Sequence, residues 1–137
     1  MAEIFALQGP GNCGKSTTLR MFYEELLLKY PKAVPALLKD GRDFKAIVSN
    51  VKGKLIGIES QGDPNSRLDE TLKEFQTAQC DMVFCTCRSW GMTYDWIAEY
   101  CPPSTKRMIA KTRGSGANQF DRANKADMQS LFNASGL

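Results

Sequence analysis

The 137-residue sequence predicts an α/β protein, a three-layer α/β/α fold on a mostly parallel sheet covered by helices on both faces. Three observations carry that prediction. Short β-rich runs alternate with segments whose apolar residues recur at helical spacing, in the order strand, helix, hairpin, helix, strand, helix, strand, helix. A glycine-rich stretch from Gly9 to Gly14 joins the first strand to the first helix. Lys52-Gly53 separates two β-rich runs, the mark of a tight hairpin that adds one antiparallel strand at a sheet edge.

The elements follow in order. Glu3 to Gln8 (EIFALQ) reads as a short buried strand, and Ser16 to Tyr30 places Leu19, Phe22, Tyr23, Leu26 and Tyr30 on one helical face. Pro31, Pro35 and Gly41 break the segment from 31 to 43 into a connector, in which Asp40 and Asp43 are the only ligand-type side chains. Phe44 to Val51 and Lys54 to Glu59 form the hairpin. After Gly62-Asp63-Pro64, residues Leu68, Leu72, Phe75 and Ala78 mark an amphipathic helix. Asp81 to Cys87 is the next hydrophobic run, followed by a loop and a short helix around Thr93 to Tyr100. Arg107 to Lys111 is the last strand, and Gln119 to Asn133 the closing helix.

No linker divides the chain, so a single domain over 1–137 is expected, and its length is too short for two ordinary domains. Hydrophobic residues at 42% and charged residues at 24% describe a chain that buries a core. Eighteen Lys+Arg against fifteen Asp+Glu is too mild an excess to indicate nucleic acid, and no apolar run is long enough for a membrane helix. The N-terminus has no basic, apolar signal-type segment, so the expected compartment is the cytoplasm. Five cysteines and no histidine argue for reduced thiols, exclude the usual zinc sets and remove the commonest general base. Cys85 and Cys87 share a strand face and read as small core hydrophobes.

Gly9-Pro-Gly-Asn-Cys-Gly14-Lys15-Ser16 fits G-x-x-x-x-G-K-[ST], following a strand and opening a helix as that pattern requires. Such a loop can turn its backbone N–H groups toward phosphate oxygens, helped by the helix N-terminus. Lys15 then reaches the β- and γ-phosphates and Ser16 binds Mg²⁺. Gly9, Gly11, Asn12, Cys13, Gly14, Lys15, Ser16 and Thr17 are the predicted phosphate-binding residues. Through GPGNCGKST the chain resembles the P-loop NTPase superfamily. The hairpin between the first two helices is similar to the kinase and GTPase branch. That resemblance implies a five-stranded sheet of order 2-3-1-4-5, with the strand carrying the acidic metal-side residue next to the phosphate-loop strand. The recombination and AAA-type branch inserts another strand between the two.

Glu59 falls where that acid is expected, and Glu59-Ser-Gln-Gly62 resembles the Asp-x-x-Gly of GTPases with Glu for Asp. Either Glu59 or Asp63 is the expected metal-side and catalytic carboxylate, beside Lys15. Arg67, Arg88 and Arg113 are further candidates to meet phosphate charge. Asn124-Lys125-Ala126-Asp127 matches the guanine-reading Asn-Lys-x-Asp but falls inside the closing helix, where the Asp127 carboxylate is expected to face solvent. The loop Lys111 to Gly116, with Lys111 and Arg113, is the expected base-side element, and it stacks without strong selection. ATP is therefore expected over GTP. No arginine-rich lid or acceptor insertion is present, so slow ATP hydrolysis coupled to a protein partner, a homodimer or a conformational switch is the leading expectation. A small-molecule or nucleotide kinase and a non-catalytic nucleotide-binding module are the alternatives.

Overall fold

A computed structural model describes residues 3–9, 14–40, 43–61, 67–88, 105–112 and 117–137. Its elements are β1 (Glu3–Gln8), α1 (Lys15–Lys29), β2 (Val34–Lys39), β3 (Lys45–Val51), β4 (Lys54–Glu59), α2 (Leu68–Thr77), β5 (Met82–Cys87), β6 (Thr105–Ala110) and α3 (Ala117–Ser135). The architecture is α/β, a mixed six-stranded sheet with three helices among the described residues. Of the sequence expectations, the short helix around 93–100 lies outside these residues.

Alternation along β1 divides the core between the two sheet faces. Phe5 joins α1, α3 and the hairpin in one cluster, around Leu19, Phe22, Leu26, Phe44 and Leu131. Ile4 and Ala6 join α2 in the other, around Leu68, Leu72 and Phe75. Phe84 stacks on Phe5 at 5.0 Å between ring centroids, and Phe22 bridges Phe84 (4.4 Å) to Phe132 (4.6 Å), tying the sheet to both helices of its face. Lys52 and Gly53, at φ 52° and 75°, form the expected hairpin turn; its two positive φ values match the twist of the flanking strands.

The strand order corrects the expectation of five strands in the order 2-3-1-4-5. The sheet runs β2-β3-β4-β5-β1-β6. β5 lies between β4 and β1 and pairs in parallel with both, Phe84 standing opposite Phe5 and Ile58. All six β5 residues are buried, which suits a strand with neighbours on both edges and cover on both faces. The second correction is β2, an extra strand inside the expected connector. It tolerates Pro35 because it is the edge strand, paired only with β3. The antiparallel β3 is consequently one position in from the edge rather than at it. Among the described residues no helix is long and apolar enough to cross a membrane.

Gly57 in β4 shows how tightly α2 sits on the sheet. A Cβ there would lie 2.7–2.9 Å from three ring atoms of the fully buried Phe75. Gly57→Ala should cost about 1–3 kcal/mol, because an aromatic ring in a filled core cannot give way cheaply. A urea unfolding curve checks this, and a midpoint equal to that of the parent would contradict the packing.

Candidate functional site

The parallel strands end together. Gln8 stands opposite Cys87 and Ala110, and Glu59 opposite Cys85, so Gly9, Ser60, Arg88 and Lys111 all emerge at one edge of the sheet. α1 begins at that edge. Gly14 caps it at φ 94°, a left-handed conformation natural to glycine, and supplies no side chain to the helix N-terminus. The first-turn N–H groups are thus not capped by the residue at the helix start. A Cβ on Gly14 would also come within 2.6 Å of Asn124 Oδ1, so this position needs glycine for space as well as for φ.

Lys15 is buried and its Nζ donates to the Gly9 carbonyl at 2.6 Å, closing the chain from strand end to helix start. The Ser16 hydroxyl donates to Asp43 Oδ1 at 2.9 Å, with the Ser60 carbonyl 3.2 Å away. The Ser60 hydroxyl accepts from Phe44 N–H at 2.8 Å and reaches Asp43 at 3.4 Å. Thr86 on β5 donates to the Ser60 carbonyl at 2.8 Å and fixes that group from the neighbouring strand. The hydroxyl of the glycine-loop motif is therefore met by a carboxylate from the segment just before β3. Asp43 is reached because Lys45 pairs with Glu59, which lays the start of β3 along the end of β4. Its sequence signal is slight, an acid standing next to the first β-rich run of the hairpin.

Glu59 is placed differently. Its carboxylate is fully buried and accepts from Arg67 Nε (2.6 Å), Arg67 Nη2 (3.1 Å) and the Thr71 hydroxyl (2.8 Å). It joins the end of β4 to the start of α2 and does not touch Ser16, which is bonded through Asp43 and Ser60. Arg67, a candidate for phosphate, is one half of this two-pronged pair. Thr17 is exposed on α1. Gly11, Asn12, Cys13, Asp63 and Arg113 lie outside the described residues.

The closing helix holds the largest departure from expectation. Asp127 is buried at 3% exposure and does not face solvent. Its Oδ2 accepts from Lys111 Nζ (2.9 Å) and Thr112 N–H (2.8 Å), and its Oδ1 from the Thr112 hydroxyl (2.7 Å). Lys111, expected to lend its stem to a base, has its side chain wholly buried in this pair. Thr18 donates its hydroxyl to the Gly14 carbonyl at 2.8 Å, and Asn124, one turn before Asp127, places its Oδ1 3.1 Å from the same hydroxyl as a second acceptor for that one proton. α3 thus braces both the start of α1 and the end of β6.

Burial pushes the thiols up. Cys87, at the end of β5, reaches about 11 even though the Lys15 charge opposes the shift, and Cys85 is raised well above the usual range. Both are free and buried, inert core residues as the sequence suggested. Comparison with known proteins finds no matching family model, no matching curated protein and no matching solved structure.

Proposed function

We propose that the chain is a Mg²⁺-dependent P-loop NTPase that binds ATP and hydrolyses it slowly, with turnover coupled to a partner or to a conformational change. The observation that carries this reading is the Ser16 hydroxyl held on the Asp43 carboxylate at the start of α1, directly behind the strand, glycine and lysine of the motif. The strand inserted between β1 and β4 supports the recombination and AAA-type arrangement over the kinase and GTPase one.

The donor set fits Mg²⁺. Ser16, Asp43 and the Ser60 carbonyl are hard oxygen donors within one hydrogen-bonded cluster. Among the described residues there is no group of three or more acidic, cysteine or histidine ligands. Ser16 and Asp43 would leave the rest of a Mg²⁺ shell to phosphates and water. Ser16 and Asp43 would hold the ion, which when bound neutralises phosphate charge during transfer. Lys15 supplies a fixed cation beside the phosphates, and the α1 N-terminus adds its partial positive charge. Glu59 keeps Arg67 and the entry to α2 in place and leaves the metal-side role to Asp43. Both Asp127 oxygens are engaged by Lys111 and Thr112, so neither offers a guanine the acceptor it needs. ATP is favoured, and discrimination against GTP should stay within about tenfold, about 1.4 kcal/mol.

Calorimetric titration with ATP and Mg²⁺, followed by single-turnover hydrolysis, tests the proposal. Asp43→Asn should reduce turnover at least tenfold while affinity stays within severalfold, because the amide keeps the shape and loses the charge. No measurable ATP binding would overturn the function. Parent-like hydrolysis in Asp43→Asn would remove Asp43 from the metal side.

A further inference from the structure

We infer that Arg20 is a positioning residue for Asp43, gripping the chain on both sides of the carboxylate that meets Ser16. Ser16 and Arg20 stand four positions apart on α1 and so share one face of the helix, and both meet the segment that leads into β3. Ser16 bonds Asp43 itself. Arg20 reaches past Asp43 in both directions. Its Nη2 pairs with Asp40 Oδ1 at 3.0 Å, and its guanidinium carbon stands 4.7 Å from the centroid of the Phe44 ring. Phe44 is wholly buried and packs on Tyr23 with 5.4 Å between ring centroids, so the ring that Arg20 covers is itself fixed.

Asp43 needs such a grip because it lies outside the strand ladder. β3 begins at Lys45, so strand pairing does not order the carboxylate. Phe44 is tied to Ser60 twice: its N–H donates to the Ser60 hydroxyl at 2.8 Å, and its carbonyl accepts from the Ser60 N–H at 3.0 Å. Those bonds anchor the chain one residue beyond Asp43, and the Arg20 pair with Asp40 adds the hold before it. Asp40 also offsets the Arg20 charge, which one helical turn from Ser16 would otherwise repel a bound Mg²⁺. Arg20 therefore contributes geometry rather than attraction. This role rests on the reading of Asp43 as the metal-side carboxylate, and a misplacement of about 1 Å at such a site can cost about a hundredfold in rate.

Arg20→Met tests this, since it keeps an apolar stem over Phe44 and removes the planar cation. The Arg20 side chain is 34% exposed, so the fold should stay intact, as a thermal melt will show. In the nucleotide-free protein, hydrogen exchange at the Phe44 amide, read by NMR, should quicken about threefold or more against the amides of β3. Single-turnover hydrolysis at saturating Mg²⁺ and ATP should slow about fivefold with affinity within about twofold, a coupling of the size found between residues of one contact network. In an Asp43→Asn background the same substitution should change the rate by less than about twofold, because the charge that Arg20 positions is gone. Faster exchange with parent-like turnover would overturn the positioning role. An equal loss of rate in both backgrounds would overturn it too, because Arg20 would then act by a route other than Asp43. Unchanged exchange at Phe44 in a chain that binds ATP would overturn this inference alone. A parent that binds no ATP would overturn the nucleotide reading and the positioning role together.

Discussion

Asp127→Asn is expected to destabilise the fold by about 3–5 kcal/mol, the usual cost of removing one partner from a buried ion pair. The Lys111 and Asp127 side chains are 0% and 4% exposed, and among the described residues the Lys111 ammonium would keep the neutral Thr112 carbonyl, 2.8 Å away. Thr112 would also lose a charged acceptor for both its N–H and its hydroxyl. Stability should be read from urea unfolding near neutral pH. Replacing both members, Lys111→Met with Asp127→Leu, should recover much of the loss, because the penalty comes from an unpaired buried charge more than from the missing bond. A loss below about 1 kcal/mol in Asp127→Asn would contradict the buried pair.

Lys15→Ala is expected to weaken ATP binding at least tenfold. A charge-assisted contact of this kind contributes about 1.5–3 kcal/mol, and each 1.4 kcal/mol is a factor of about ten. Lys15 also bonds the Gly9 carbonyl, so a thermal melt must accompany the titration to separate lost affinity from lost structure. Weaker binding with a normal melt supports phosphate contact. Unchanged affinity with a normal melt would overturn the P-loop reading, whatever the result for Asp43.

Much of the fold was legible from local pattern. The β1 strand, the helical face of α1, the Lys52-Gly53 turn, α2 and α3 all lie close to where spacing and turn chemistry put them. β2 was hidden because Pro31 and Pro35 read as breakers, and a proline is compatible with a strand only when one edge needs no partner. Asp127 was partly legible. Ala123, Asp127 and Leu131 recur every four residues, so the apolar stripe of α3 runs through the carboxylate. The expectation that an acid faces solvent overrode that arithmetic, and Lys111, sixteen positions away in the sequence, supplied the charge that makes burial tolerable.

The sequence by itself determined the α/β class, the positions of its main helices and the strand, glycine loop and helix that set Lys15 and Ser16 side by side. These follow from the two backbone periods and from turn residues, which act over a few positions of chain. Only the tertiary structure decided that β5 separates β4 from β1, that Asp43 and not Glu59 meets Ser16, and that Asp127 closes on Lys111. Each of those depends on strand pairing and burial between segments distant in the chain. Such pairing is settled by which buried charges find partners and which apolar faces find cover once the sheet has assembled.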